Sequence, residues 1–179
     1  MQKRDRIVKI FLHRKTGAVL LFPYVCYAAG HSAIYGNVQV QQAAETRKIG
    51  RAIISMFSAG RKADVEPPSQ ARKDALQRKW RHEKVTPEEI RPSFDKKSNL
   101  EEVLAQFPAL TKGLAAYHRT FAVAELIERD SWTSRKLVRL VRSSFASCES
   151  AAETVRLPLS LDANELGYAL VEQMIEWQS

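Results

Sequence analysis

The side chains suited to acid–base, nucleophilic or metal chemistry are few and scattered. They are His13, His31, His82 and His118, Cys26 and Cys148, and a serine group at Ser143, Ser144 and Ser147. A zinc-binding or general-base histidine needs convergent partners, and no carboxylate or cysteine stands at ligand spacing from any of the four. His82-Glu83 lacks the second histidine of HExxH, and the serines lack the GxSxG turn that exposes a nucleophile. Gly30 and Gly36 lie in a small, polar stretch from Ala28 to Asn37. They form neither GxGxxG nor a Walker sequence, so the stretch reads as a loop joining two strands. These residue types point away from an enzyme, and they imply no metal and no cofactor.

A different chemistry is offered by Arg78-Lys79-Trp80-Arg81. Arginine and tryptophan are favoured at binding hot spots, and cations around an aromatic ring hold single-stranded nucleic acid. Glu83, Glu88 and Glu89 follow within one short stretch. Arg78, Lys79, Trp80, Arg81, Glu83, Glu88 and Glu89 are therefore the candidate binding residues. The competing reading is a solvated helix with Trp80 tucked against the body.

These residues belong to a polar, basic insert at about 59–98, broken by Pro67-Pro68, Pro87 and Pro92. Pro68 precedes a helical stretch, 69–81, with few apolar positions. Residues 61–97 hold eleven Lys/Arg and seven Asp/Glu, which is half of the net charge of +8. Such an excess points to an anionic partner such as nucleic acid, a membrane surface or an acidic protein face. The insert is the natural candidate for a mobile or partner-contacting segment.

The 179 residues, 45% hydrophobic overall, suffice for one domain with its own core. The two cysteines show no CxxC or metal spacing. The apolar run at 7–12 is interrupted by Lys9 and is too short for a signal-peptide core. No stretch approaches the ~20 apolar residues of a membrane span. The expectation is a cytoplasmic protein with free thiols and no membrane contact.

Residues 7–12 and 18–22 read as a hairpin, with Gly17 suited to a positive φ in the turn and Pro23 ending the second strand or marking a sheet edge. Leu100, Val103, Leu104 and Phe107 fall at i, i+3, i+4 and i+7, one face of a helix. Phe121–Ile127 fits helix or strand by period alone. The β-branched content of 136–142 favours a strand, and the two segments then form a second hairpin, turning at Asp130-Ser131. Ser143 to Glu153 reads as a loop.

The chain also repeats itself. Val38-Gln39-Val40 is followed by Ile49-Gly50-Arg51-Ala52-Ile53, and Val155-Arg156-Leu157 by Leu166-Gly167-Tyr168-Ala169-Leu170, with 12 positions from valine to glycine in both copies. Leu166, Ala169, Leu170, Gln173, Met174 and Trp177 share one helix face, as do Ile49, Ala52, Ile53, Met56 and Phe57 in the first copy. Asp162 and Glu165 are spaced for a capping box. A glycine in the first turn of a helix costs ~1 kcal/mol relative to alanine. Finding one twice predicts close packing of each helix end against a sheet or chain. The fold expected is α+β, a mostly antiparallel sheet with helices packed on it and two similar strand–helix units at the two ends.

The closing stretch Val155-Arg156-Leu157-Pro158-Leu159-Ser160-Leu161-Asp162-Ala163-Asn164-Glu165-Leu166-Gly167-Tyr168-Ala169-Leu170 resembles the closing phrase of the immunity proteins of bacterial contact-dependent growth inhibition systems. A fainter likeness runs through Thr16–Tyr24 and Ile49–Ile53. The resemblance implies a cytoplasmic protein that binds the C-terminal toxin domain of a cognate effector, in many cases a nuclease. It would neutralise that domain by stoichiometric occlusion, without turnover. Inhibitors of nucleases present acidic side chains to cationic sites, whereas this chain is basic. Either its toxin offers an acidic face, or an acidic patch such as Glu83, Glu88 and Glu89 is presented on a basic body. The rival class is a basic nucleic-acid-binding protein using residues 61–97.

Overall fold

A computed structural model describes residues 5–26, 32–63, 69–81, 83–86, 89, 93–94, 98–112, 114–128, 137–143, 154–158 and 161–178. The chain opens with the hairpin β1 (Asp5–His13) and β2 (Ala18–Cys26), joined through Gly17 at φ 68°. Short strands β3 (Ser32–Ile34) and β4 (Gln39–Gln42) follow, then the helices α1 (Thr46–Lys62) and α2 (Gln70–Trp80). After β5 (Ser93–Phe94) come α3 (Leu100–Gln106), a 3-10 turn at Pro108–Leu110, and α4 (Leu114–Thr120). The chain closes with β6 (Phe121–Glu128), β7 (Leu137–Ser143), β8 (Thr154–Pro158) and α5 (Ala163–Glu176).

All eight strands join one sheet in the order β5-β3-β2-β1-β6-β7-β8, with β4 also on β2. Every pairing is antiparallel except β3 with β5. The α+β class and the second hairpin are as expected. Phe121–Glu128 resolves as strand because it pairs with β1 on one side and β7 on the other. Asp130 and Ser131, expected to turn that hairpin, and 144–153, expected as a loop, lie outside the described residues.

Three local features refine or differ from the sequence expectation. Of the two roles open to Pro23, strand end or sheet edge, the first is ruled out, because β2 runs through it to Cys26. The Pro23 carbonyl accepts from Tyr35 N at 3.2 Å. The missing N–H of Pro23 points to that same edge of β2, where pairing passes from β4 (to Leu21) to β3 (from Tyr24), so no ladder donor is needed. Second, Ser32–Ile34, read as loop, pairs with β2. Third, the insert carries β5, which adds itself to β3, and its helix α2 buries Ala75 and Arg72. The insert is tied to the sheet through the β3–β5 pairing.

Alternation along the strands splits the core between the two faces of the sheet. On one face Val8, Ile10, Leu12, Val19, Leu21, Ala124, Leu126 and Leu140 meet α1 and α5. On the other, Phe11, Leu20, Phe22, Phe121 and Val123 meet Leu100 and Val103 of α3, with Leu104, Phe107 and Tyr117 packed on them. Phe11 sits edge-on to Phe22, Tyr117 and Phe121 at centroid distances of 5.1–5.9 Å. Asn99 fixes the start of α3. Its side-chain Oδ1 accepts from Val38 N at 2.8 Å and its Nδ2 donates to Val38 O at 3.0 Å, much as a paired strand would.

The repeat is deeper than its two marked ends. Read outward from the centre of the sheet, β1-β2-β4 on one side answers β6-β7-β8 on the other, and each trio leads into a helix on the same face. The halves meet along the antiparallel β1–β6 seam, about a local twofold axis. The helices meet at their glycines. A Cβ on Gly50 would lie 1.6 Å from the Ala163 carbonyl oxygen, and one on Gly167 would lie 1.8 Å from that of Thr46. Each glycine thus faces the carbonyl four residues before the other. The close packing predicted from the sequence is present, helix against helix. The valine alignment fails, however. Val38 packs with Leu100 and Val103, whereas Val155 lies on the opposite face with α1 and α5.

Candidate functional site

Of the sequence-derived candidates, Arg78, Arg81, Glu83 and Glu89 have described side chains, at and just after the end of α2. Arg78 pairs with Glu89, and both side chains are about 40% exposed. Glu89 also closes a small turn: Thr86 N donates to its Oε2 at 2.7 Å, and its own N donates to Thr86 Oγ1 at 3.4 Å. These backbone and Arg78 hydrogen bonds hold the Glu89 carboxyl below its ordinary range, so it is an anion already engaged within the segment. Arg81 and Glu83 are exposed. Lys79 and Trp80 close α2, but their side chains, and Glu88 altogether, lie outside the described residues.

His13 takes a structural place. His13 Nδ1 accepts from Lys15 N at 3.3 Å and Thr16 N at 3.2 Å, bracing the first turn, and its ring stands edge-on to Phe121. Burial, with help from Lys9 and Arg14, holds the His118 pKa down. His31 and His82 are outside the described residues. Among the described residues, no group of three or more His, Cys, Asp or Glu is placed to hold a metal ion. No helix among them is long and apolar enough to cross a membrane.

A buried ionic cluster joins the two halves. Glu128, fully buried, accepts from Arg6 Nε at 2.7 Å on one carboxylate oxygen and from Arg61 Nη2 on the other. Arg6 is buried as well, while Arg61 is half-exposed. Each carboxylate oxygen holds a guanidinium donor, so the group acts as a latch between β1, β6 and the end of α1. Tyr35 packs beside this latch and donates to the Met56 carbonyl at 2.9 Å.

The most distinctive surface is formed by the outward sides of α1 and α5. Once their apolar stripes are buried, the remaining positions show opposite charge. α5 contains Glu165, Glu172 and Glu176 and no basic residue. α1 contains Arg47, Lys48, Arg51, Arg61 and Lys62 and no acidic residue. The α5 side also exposes Tyr168 (57%) and Ile175 (53%), the two most exposed large hydrophobics among the described residues. A groove of about 450 Å³ runs between them and residues 43–46, lined by Ala43, Ala44, Thr46, Tyr168, Val171, Glu172 and Ile175.

Local contacts hold this face in place. Asp162 Oδ1 accepts from Asn164 N at 2.7 Å and Glu165 N at 2.9 Å, and Glu165 Oε2 accepts from Asp162 N at 3.2 Å, the expected capping box. Arg142 of β7 donates to the Trp177 carbonyl at 2.7 Å and so caps the far end. Thr46 Oγ1 donates to Asn164 Oδ1 at 2.7 Å, tying the groove's two walls together. Tyr168 is steadied by its hydroxyl on Glu172 at 3.3 Å. The sequence reading concentrated on the apolar stripe of α5 and passed over the complementary stripe, which its helical spacing also defines.

No protein-family model, curated protein or solved structure matches the chain.

Proposed function

We propose that the chain is an immunity protein of a contact-dependent growth inhibition system, acting in the cytoplasm. It binds the C-terminal toxin domain of a cognate effector through the outer face of α5 and covers the toxin's cationic working surface. The carrying observation is a helix whose only charged residues are Glu165, Glu172 and Glu176, beside a groove lined by Tyr168, Glu172 and Ile175, on a protein of net charge +8. A surface that binds phosphate chains is cationic, and interface potentials are complementary. A basic inhibitor meets that requirement with one helix whose only charged side chains are acidic, Glu165, Glu172 and Glu176. Tyr168 supplies a large side chain at low entropy cost, as binding hot spots do. Neutralisation is by occlusion, so no turnover is required of this chain. In the insert, Arg78 and Glu89 are already paired with each other.

The test is protection of cells expressing the toxin domain, with affinity measured in parallel. Reversing Glu172 (Glu172→Arg) should weaken binding by about 10–100-fold, the range expected when a like charge is placed in a close interfacial contact. Arg81→Glu should leave it within about threefold. The opposite ranking would move the interface to the insert. No affinity for the toxin, together with RNA binding that weakens steeply with salt, would replace this reading by the nucleic-acid one.

A further inference from the structure

We infer that, without its toxin, this protein pairs with a second copy of itself through the α1–α5 layer. The inference rests on the reading of the outer α5 face as a binding surface and adds what covers that face in the free protein.

Two observations carry it. First, the layer is self-complementary in charge: α1 has five basic and no acidic residues, and α5 has three acidic and no basic. Arg47, Arg51 and Lys62 are exposed, and among the described residues none has an ion-pair partner. Second, the layer exposes apolar side chains on both helices, Ile54 (40%) on α1 and Tyr168 and Ile175 on α5. A twofold axis lying in the plane of this face turns one copy onto another so that each α1 lies along the partner's α5. The same contact is then made twice, as an isologous interface demands. The basic stripe meets the acidic groove on both sides, and Ile54 adds apolar surface to that contact.

The size of the layer sets the strength. Helices of 17 and 14 residues are about 25 and 21 Å long at ~1.5 Å per residue. With each helix about 10 Å across, the pair offers about 500 Å² per copy, or about 1,000 Å² in total, the low end for a specific interface. The dimer is accordingly weak, with a Kd of about 1–100 µM, and sensitive to salt. A toxin domain binding the α5 groove more tightly displaces the second copy.

Sedimentation equilibrium on the full chain, without toxin, tests this directly. At about 100 µM protein and low salt the wild type should be largely dimeric, shifting toward monomer at about 0.5 M salt. Arg47→Glu with Arg51→Glu should give a monomer, and so should Glu165→Arg with Glu172→Arg. Mixed in equal amounts, these two variants should form a dimer again, because each now matches the other on both helices. That rescue also shows that both variants are folded. A monomeric wild type at low salt, a dimer that both variants leave intact, or a mixture that stays monomeric would each overturn the inference. The α1 variant keeps the α5 groove, so its toxin binding separates a failure of this inference from a failure of the toxin reading.

Discussion

Replacing Gly167 by alanine adds one methyl group, and the structure places it where no neighbour can move aside cheaply. It would lie 1.8 Å from Thr46 O, 2.7 Å from the Thr46 carbonyl carbon and 3.0 Å from Gly50 N. All three are backbone atoms of α1, so no rotamer change relieves the contact. To restore even a 3.0 Å separation the helices must part by more than 1 Å. That loosens the packing of Ile49, Ile53, Leu166 and Leu170, all essentially inaccessible to solvent. Overpacking of this kind costs about 1–3 kcal/mol in ordinary cores, and more where backbone must shift. The better helix propensity of alanine returns about 1 kcal/mol. The net expectation is a loss of about 2–3 kcal/mol, or about 4–12 °C in Tm for a chain of this size. Gly50→Ala, 1.6 Å from Ala163 O, should cost as much or more. The double variant should lose less than the sum, because helices parted by the first methyl already have room for the second. Thermal unfolding followed by circular dichroism measures all three. A higher Tm for either single variant, as helix propensity alone would give, would refute the close-approach argument.

Two further outcomes follow from the described contacts. Glu128→Gln should destabilise the fold by about 3–5 kcal/mol in urea unfolding, because it removes the carboxylate charge from a buried pair with the Arg6 guanidinium. An unchanged midpoint would show that the latch contributes nothing. Burial, aided by Glu125 and Asp5, pushes the Cys26 thiol up to about 11. In a Cys148→Ser background its alkylation at pH 8 should be about tenfold slower than that of a free thiol, rising with pH until about 11. The sign follows from the raised pKa, which keeps the neutral form dominant up to that pH. Rates equal to those of a free thiol would contradict it.

The helical parts of this fold were the most legible in the sequence. Leu166, Leu170, Met174 and Ile49, Ile53, Met56 recur at helical spacing because they fill equivalent places in one core cluster. The two glycines could be read because nothing but a close backbone approach rewards a glycine there twice. The strand half of the repeat was less legible. Val38 and Val155 match by spacing yet lie on opposite faces of the sheet, so a linear count brought together residues with different surroundings. β3 and β5 are three and two residues long, too short for any periodicity, and their pairing depends on segments about sixty positions apart. The α5 surface was spelled out in Glu165, Tyr168, Glu172 and Ile175, but its meaning required the opposite charge of α1. That contrast appears only when the two helices are seen side by side.

The β1–β6 seam also sets an order of events for folding. Hairpin β1–β2 is local and can close early, within microseconds. Its central partner β6 lies more than a hundred residues further on, as the Arg6–Glu128 separation of 122 shows. Until β6 emerges, β1 presents a free edge carrying Val8, Ile10 and Leu12, with no far half to cover it. Closing so long a loop is the slow, high-contact-order step. The β1–β6 pairing sets Arg6 opposite Glu128, so the carboxylate latch depends on it. Mutations in the seam should therefore slow folding, whereas those on the outer stripes of α1 and α5 should leave its rate alone. The surface proposed to recognise partners is thus free to diverge without touching the step by which the molecule assembles itself.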